Sequence, residues 1–245
     1  MLKATGKTDI GKVRDINQDD FSCGALGDNA VFAVVCDGMG GENGGHIASR
    51  TACNIVTDSL KAAYGSGFGD NSIRAILQTA VTAANVSVFD KSQSDEDLRG
   101  MGTTIVASIV CDGIAHVIHA GDSRAYHICR QGIIQVTKDH SVVQLLVDRG
   151  EIKEEEARFH PKKHFITRAL GVMSTIDLDY CEFPLERLDA LLICTDGLTN
   201  YFSNEQILGL TLAAGYEQCI DVLIENAKNE GGADNITVVC IRNED

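Results

Sequence analysis

Apolar residues in this chain fall into two patterns: short unbroken runs, and longer stretches with apolar groups at helical spacing. Residues 31–36 (VFAVVC) form a short, β-branched, unbroken run, which predicts a fully buried strand. Residues 190–195 (ALLICT) repeat that pattern, and 236–241 close the chain with a third such run. Between residues 46 and 63 apolar groups recur at 47, 48, 52, 55, 56 and 60, close to the spacing of one helix face. A second helix is predicted over 72–90, with Ile73, Ile76, Leu77, Ala80, Val81, Ala84, Val88 and Phe89 on one side. The glycine-rich stretch 65–70 breaks the chain between the two. Residues 103–111, 114–120, 124–129 and 133–137 read as strands, separated by Asp112-Gly113, Gly121-Asp122 and Gln131-Gly132. They predict an antiparallel meander. Residues 141–175 return to short helical pieces and form a polar insertion, and helices follow at 204–213 and 217–229. Residues 3–22 carry only weak strand character.

Runs of strands and runs of helices, without strict βαβ alternation, point to an α+β fold. Two antiparallel sheets packed face to face and flanked by helices use all of these elements. No linker, repeat or low-complexity tract divides the chain, so residues 1–245 are expected to form a single domain.

Composition narrows the chemistry. The 35 acidic against 21 basic residues, a formal net charge of −14, argue against nucleic-acid binding, which needs a basic surface. No stretch has the length and apolarity of a signal peptide or membrane span, so a cytoplasmic protein is expected. The nine cysteines stand singly with no C-x-x-C pair, which predicts free thiols and no zinc site.

Three places share one construction: a glycine-rich turn, a carboxylate and an apolar strand. Asp37-Gly38 follows the first buried run and Asp196-Gly197 the second, while Gly231-Gly232-Ala233-Asp234-Asn235 leads into the last. Each Asp alone could be a turn residue, as Asp112 is between two strands. Brought together at one rim, three carboxylates and a backbone carbonyl are the oxygen donors that Mg2+ or Mn2+ prefer.

Seven motifs in order resemble the PPM (type 2C) family of metal-dependent Ser/Thr protein phosphatases in its bacterial form. They are Gly11-x-x-Arg14-x-x-Asn17-Gln18-Asp19, Asp37-Gly38-Met39-Gly40-Gly41, Met101-Gly102-Thr103-Thr104, Gly121-Asp122-Ser123-Arg124, Asp139-His140-Ser141, Cys194-x-Asp196-Gly197-Leu198 and Gly231-Gly232-x-Asp234-Asn235. The resemblance implies that Asp37 bridges two Mn2+ or Mg2+ ions. Asp196 and Asp234 complete one of them, and the Gly38 carbonyl the other. Asp19 acts on the second ion, directly or through water, and Asp122 with Asp196 holds a third, weaker ion. Arg14 takes the phosphate-binding position, where its planar fork of donors matches a phosphoryl group.

The implied reaction is hydrolysis of phosphoserine and phosphothreonine by a metal-bridging hydroxide, without a phosphoenzyme. Substrates are then phosphorylated proteins, targets of a Ser/Thr kinase, and the protein is expected to be a monomer. Residues 141–175 resemble the family's flap. Eukaryotic relatives carry His directly after the Asp-Gly, and bacterial ones often a His four residues after that Gly. This chain has Met39 and Glu42 there, so the leaving-group acid stays open among a bound water, His46 and a histidine of 141–175. Two other classes compete: a non-catalytic module of the same fold, and a different metal hydrolase. The intact Asp37, Asp196 and Asp234 oppose the first, and an Asp-only donor set in an acidic chain opposes the second.

Overall fold

The computed structural model describes residues 1–64 and 70–244. The chain opens with β1 (Leu2–Asp9), β2 (Asp19–Ala25) and β3 (Ala30–Met39), then two long helices, α1 (Gly41–Ala63) and α2 (Asp70–Ser94). Next come β4 (Gly102–Thr103), β5 (Ile105–Cys111), β6 (Ile114–Ala120), β7 (Arg124–Cys129) and β8 (Gly132–Gln135), and the short helices α3 (Val142–Asp148) and α4 (Glu154–Ala157). The last part holds β9 (Asp179–Pro184), β10 (Ala190–Cys194), α5 (Asp196–Thr199), α6 (Asn204–Ala214), α7 (Cys219–Asn229) and β11 (Ile236–Asn243).

The strands form two antiparallel sheets, ordered β1-β11-β10-β7-β8 and β2-β3-β5-β6-β9, with β4 paired to β3. Their facing sides share a core of Val31, Ala33, Val35 and Val106 against Leu191, Ile193, Val239 and Ile241. Phe32, Val34 and Cys36 point the other way, into the layer made by α1 and α2. Leu192, Cys194, Val238 and Cys240 do the same toward α5, α6 and α7. Both faces of β3, β10 and β11 are therefore covered, which is why these strands read as unbroken apolar runs. The order of layers is helix, sheet, sheet, helix, as expected.

Three departures from the sequence reading have physical causes. First, residues 3–22 contain two strands, β1 and β2, at the edges of the two sheets. Every second side chain of β1 faces solvent, and its inward position 6 is glycine, so the apolar signal is diluted. Second, helix α1 starts at Gly41, through Gly44 and Gly45. Their poor helix propensity is overridden by packing, because a Cβ at Gly45 would lie 2.7 Å from the Gln18 amide. Third, the four strands from 103 to 137 are not one meander. Strands β5 and β6 form a hairpin, but β7 pairs with β10 in the other sheet. Gly121-Asp122 is thus the point where the chain crosses between sheets, not a hairpin turn. The break expected at 65–70 lies outside the described residues except for Asp70, where α2 begins. Among the described residues no helix is long and apolar enough to cross a membrane.

Candidate active site

The two sheets bring the ends of β3, β10 and β11 and the β6–β7 crossing to one rim. A cleft of about 670 Å3 opens there, lined by Arg14, Asp37, Gly38, Met39, Asp122, His164, Asp196 and Asp234 among others. Asp19 sits beneath, on β2, directly opposite Asp37 of β3 in the strand register. All seven residues singled out in the sequence are therefore in or immediately under one cleft.

The backbone of Asp37 is locked from one side. Its N–H donates to Thr104 Oγ1 at 3.0 Å, and its carbonyl accepts from Thr104 N at 2.8 Å and Thr103 Oγ1 at 2.9 Å. Burial, then the charges of Asp19, Asp196, Asp122 and Asp234, push the Asp37 carboxyl well above the usual carboxylate range. Burial and the neighbouring Asp196 and Asp139 do the same to Asp122. Asp234 is raised by burial and Asp196, against the pull of Asn235 N and the Arg14 guanidinium. Like charges are gathered here with little to offset them.

Asp19 is 8% exposed. Its Oδ2 accepts from Thr195 Oγ1 at 2.9 Å and Thr237 Oγ1 at 2.7 Å, while its Oδ1 is buried without a partner. Burial moves this carboxyl up to about 7, with Asp196 and Asp234 adding and the two threonines opposing. A buried carboxylate oxygen left unpaired is costly unless a cation or proton meets it. Among the described residues lining the cleft, Arg14 alone carries a permanent positive charge. Its Nη2 donates to Asp234 Oδ2 at 2.9 Å, and its side chain is 51% exposed. The donor set is all oxygen, over-acidic and partly unpaired, and it fits hard divalent cations.

Close backbone contact explains both Asp-Gly pairs. A Cβ at Gly38 would lie 2.1 Å from the Gly45 carbonyl oxygen, and one at Gly197 would lie 1.9 Å from that of Asn235. Each glycine lets a second segment of chain reach the carboxylate it follows. Asp196 then opens the single turn of α5, with Oδ2 accepting from Asn200 Nδ2 at 2.9 Å.

Several positioning residues carried no role in the sequence reading. Asn235 is 5% exposed and holds the Arg14 loop in place. Its Oδ1 accepts from Gln18 N at 2.8 Å, and its Nδ2 donates to the Ile10 and Ile16 carbonyls at 2.9 and 3.1 Å. Gln18 donates from Nε2 to the Gly41 carbonyl at 2.7 Å. Thr195 and Thr237 hold Asp19. Thr195 falls inside a motif and Thr237 in the last predicted strand, but their partner Asp19 comes from a distant part of the chain. Asn235→Ala leaves the Gln18 N–H and two carbonyls unpaired. We expect it to cost roughly 2–3 kcal/mol and to lower phosphate release about tenfold, read by thermal melts and turnover. Of the histidines considered, His164 lines the cleft, with Nδ1 3.9 Å from Asp196 Oδ2. His46 does not line it.

Comparison with known proteins agrees with this geometry. The family model for protein phosphatase 2C matches residues 11–237. The serine/threonine phosphatase stp of Listeria monocytogenes serotype 4b is 34% identical over 244 residues, covering 99% of this chain and 96% of that protein. The crystal structure of serine/threonine phosphatase Stp1 from Staphylococcus aureus superposes with a TM-score of 0.93 at 32% identity, covering 100% of this chain and 96% of the other. The catalytic domain of the serine/threonine phosphatase PstP, solved with two manganese ions, gives 0.85 at 33% identity, over 98% and 97% of the two chains. An acidic cleft at the rim of two helix-flanked sheets, and relatives matched nearly end to end, place this chain in the protein phosphatase 2C family of metal-dependent serine/threonine phosphatases.

Proposed function

We propose that the cleft hydrolyses phosphoserine and phosphothreonine in proteins, with Asp37, Asp196, Asp234, Asp19, Asp122 and the Gly38 carbonyl as the set that holds Mn2+ or Mg2+. The observation that carries this reading is the packing of Asp37 among four further carboxylates, one of which keeps a buried oxygen unpaired. Asp37 would bridge two ions, Asp196 and Asp234 would complete one, and Gly38 the other, with Asp19 acting from below and Asp122 holding a third with Asp196. When bound, such ions supply an acidified water for attack on phosphorus and positive charge for the phosphoryl oxygens.

The chain's own groups do the rest. Arg14 presents its remaining guanidinium donors to the phosphoryl group, while Asp234 and Asn235 fix its direction and its loop. Neither cysteine nor serine lines the cleft among the described residues, in keeping with direct attack by water. His164 and Ile166 form the wall contributed by residues 141–175, the segment we propose as a flap beside the substrate. The targets of a Ser/Thr kinase are the expected substrates, met by a single-domain monomer.

Phosphate release from a phosphothreonine peptide tests this. It should require Mn2+ or Mg2+ and stop in excess EDTA. Arg14→Ala should lower kcat/KM on the order of 100-fold while leaving the metal requirement in place. Undiminished release in EDTA, by folded protein freed of metal, would sink the reading.

A further inference from the structure

Asp139 and His140 lie outside the cleft lining, yet they grip both ends of the crossing that carries Asp122. At one end, Asp139 takes the Arg124 guanidinium through three bonds, Nε to Oδ1 and Oδ2 at 2.9 and 3.1 Å and Nη2 to Oδ2 at 2.8 Å. At the other end, His140 holds the Gly121 peptide twice. Its backbone N–H donates to the Gly121 carbonyl at 2.9 Å, and its Nδ1 accepts from Gly121 N–H at 3.1 Å. Between the two grips, Ser123 Oγ meets Thr104 Oγ1 at 2.7 Å. Asp122 is thus held from both flanks by neighbours in sequence.

The far edge of the His140 ring leads to the cleft wall. With Nδ1 used as an acceptor, the ring carries its hydrogen on Nε2, which faces Asp179 Oδ2 at 3.2 Å. Arg168 secures this carboxylate, donating from Nη1 to Asp179 Oδ1 at 2.8 Å; the same Nη1 lies 3.1 Å from His140 Nε2, which in this tautomer is a contact between two donors that both turn to Asp179. His119 stacks on His140, with ring centroids 4.9 Å apart and planes 3° from parallel. The His140 carbonyl accepts from Thr167 N–H at 2.7 Å. Thr167 is flanked by Ile166, which lines the cleft, and by Arg168.

We infer that His140 is a positioning residue that sets the Asp122 carboxylate, and that Arg168 and Asp179 lock the ring from its far edge. His119, His140 and Asp179 are close enough to share a cation of their own. Arg168 already supplies the positive charge on Asp179, however, and the His140 tautomer that accepts from Gly121 has no lone pair left at Nε2. The cluster is an ion-pair and hydrogen-bond network whose one open position is His119 Nδ1, buried without a partner, while His119 Nε2 meets the Lys138 carbonyl at 3.0 Å. Its ring, guanidinium and carboxylate stand to Asp122 as outer partners stand to a metal ligand, where a loss commonly weakens the ion 10- to 100-fold. This rests on Asp122 being a cation ligand, as proposed above.

Mn2+ titration of metal-freed protein by calorimetry tests it, run on wild type, Asp122→Asn, His140→Leu, His140→Asn and Arg168→Met. Asp122→Asn should lose the weakest binding step. His140→Leu and Arg168→Met should keep every step but weaken that one by about tenfold. His140→Asn, whose amide oxygen can accept from Gly121 N–H, should recover part of the loss. Arg168 is partly exposed, so its variant decides the matter if His140→Leu fails to fold. A lost step in Asp122→Asn beside unchanged steps in the folded His140 and Arg168 variants overturns the positioning role alone. An unchanged Asp122→Asn isotherm overturns the Asp122 assignment and the inference with it. An ion kept by Asp122→Asn but lost in His140→Leu would place a cation on His119, His140 and Asp179, and would also overturn it.

Discussion

Asp37→Asn is expected to lower phosphate release from a phosphothreonine peptide by about 1000-fold without unfolding the protein. The change removes one charge and keeps the shape. The backbone anchors of Asp37 are made by its N–H and carbonyl to Thr103 and Thr104, so none depends on the carboxylate. No neighbour can substitute for it. Asp19 has one oxygen committed to Thr195 and Thr237, and Asp234 has one committed to Arg14. Asp196 approaches from the end of β10 in the other sheet, and Asp122 from the crossing between the sheets. The same substitution should make the metal-free protein more stable, because it relieves repulsion among buried like charges. It should also abolish most of the stabilisation that Mn2+ confers on wild type, which is about 2.7 kcal/mol for a ligand at 100 times its Kd. Turnover and thermal melts with Mn2+ and with EDTA read both effects. A folded variant within tenfold of wild-type turnover would remove Asp37 from the centre of the site.

The parts of this site that were legible in the sequence are those whose signal is local. Strand β3 is a core strand with both faces covered, so its run of apolar residues announces both the strand and the place where it stops, at Asp37. The same holds for β10 before Asp196 and for β11 after Asp234. Asp122 was harder. Gly-Asp between two strands is written the same way whether the chain turns back in one sheet or crosses to the other. Only the pairing of β7 with β10 separates the two cases.

The holding groups were least legible. Thr195, Thr237, Asn235 and His140 act through hydrogen bonds to segments far away in the chain, and nothing in their own neighbourhood names the partner. Edge position hides strands as well. Strand β9, absent from the sequence reading, pairs with β6 at the end of its sheet, has no fully buried residue, and ends in Pro184, which suits a sheet edge. Resemblance to a family supplied roles for single residues. The physical pattern alone supplied the acidic rim.

That acidic rim should give the metal-free protein an unusual pH dependence. Asp19, at about 7, and Asp37, Asp122 and Asp234 are all raised in the fold above the roughly 3.9 of an unfolded Asp. Such groups contribute stability that is fully present below the unfolded value and is lost as pH rises through the folded one. The stability of EDTA-treated protein should therefore fall between about pH 6.5 and about pH 8. His119 and His140 work in the opposite sense, since burial lowers them and their protonation in the unfolded chain favours unfolding below about pH 6.5. Starting the comparison at that pH limits their part. The expected result is a Tm that falls across this range. Saturating Mn2+ should reverse the trend, because cations bind the deprotonated carboxylates and gain as protons stop competing. The measurement is a series of thermal melts in EDTA and in Mn2+ across that range, with Asp37→Asn alongside. A metal-free protein whose Tm holds steady or rises with pH would mean that these carboxylates are not gathered as described. A falling Tm in EDTA and a rising one in Mn2+ would show that one set of acids both destabilises the empty fold and binds the ions.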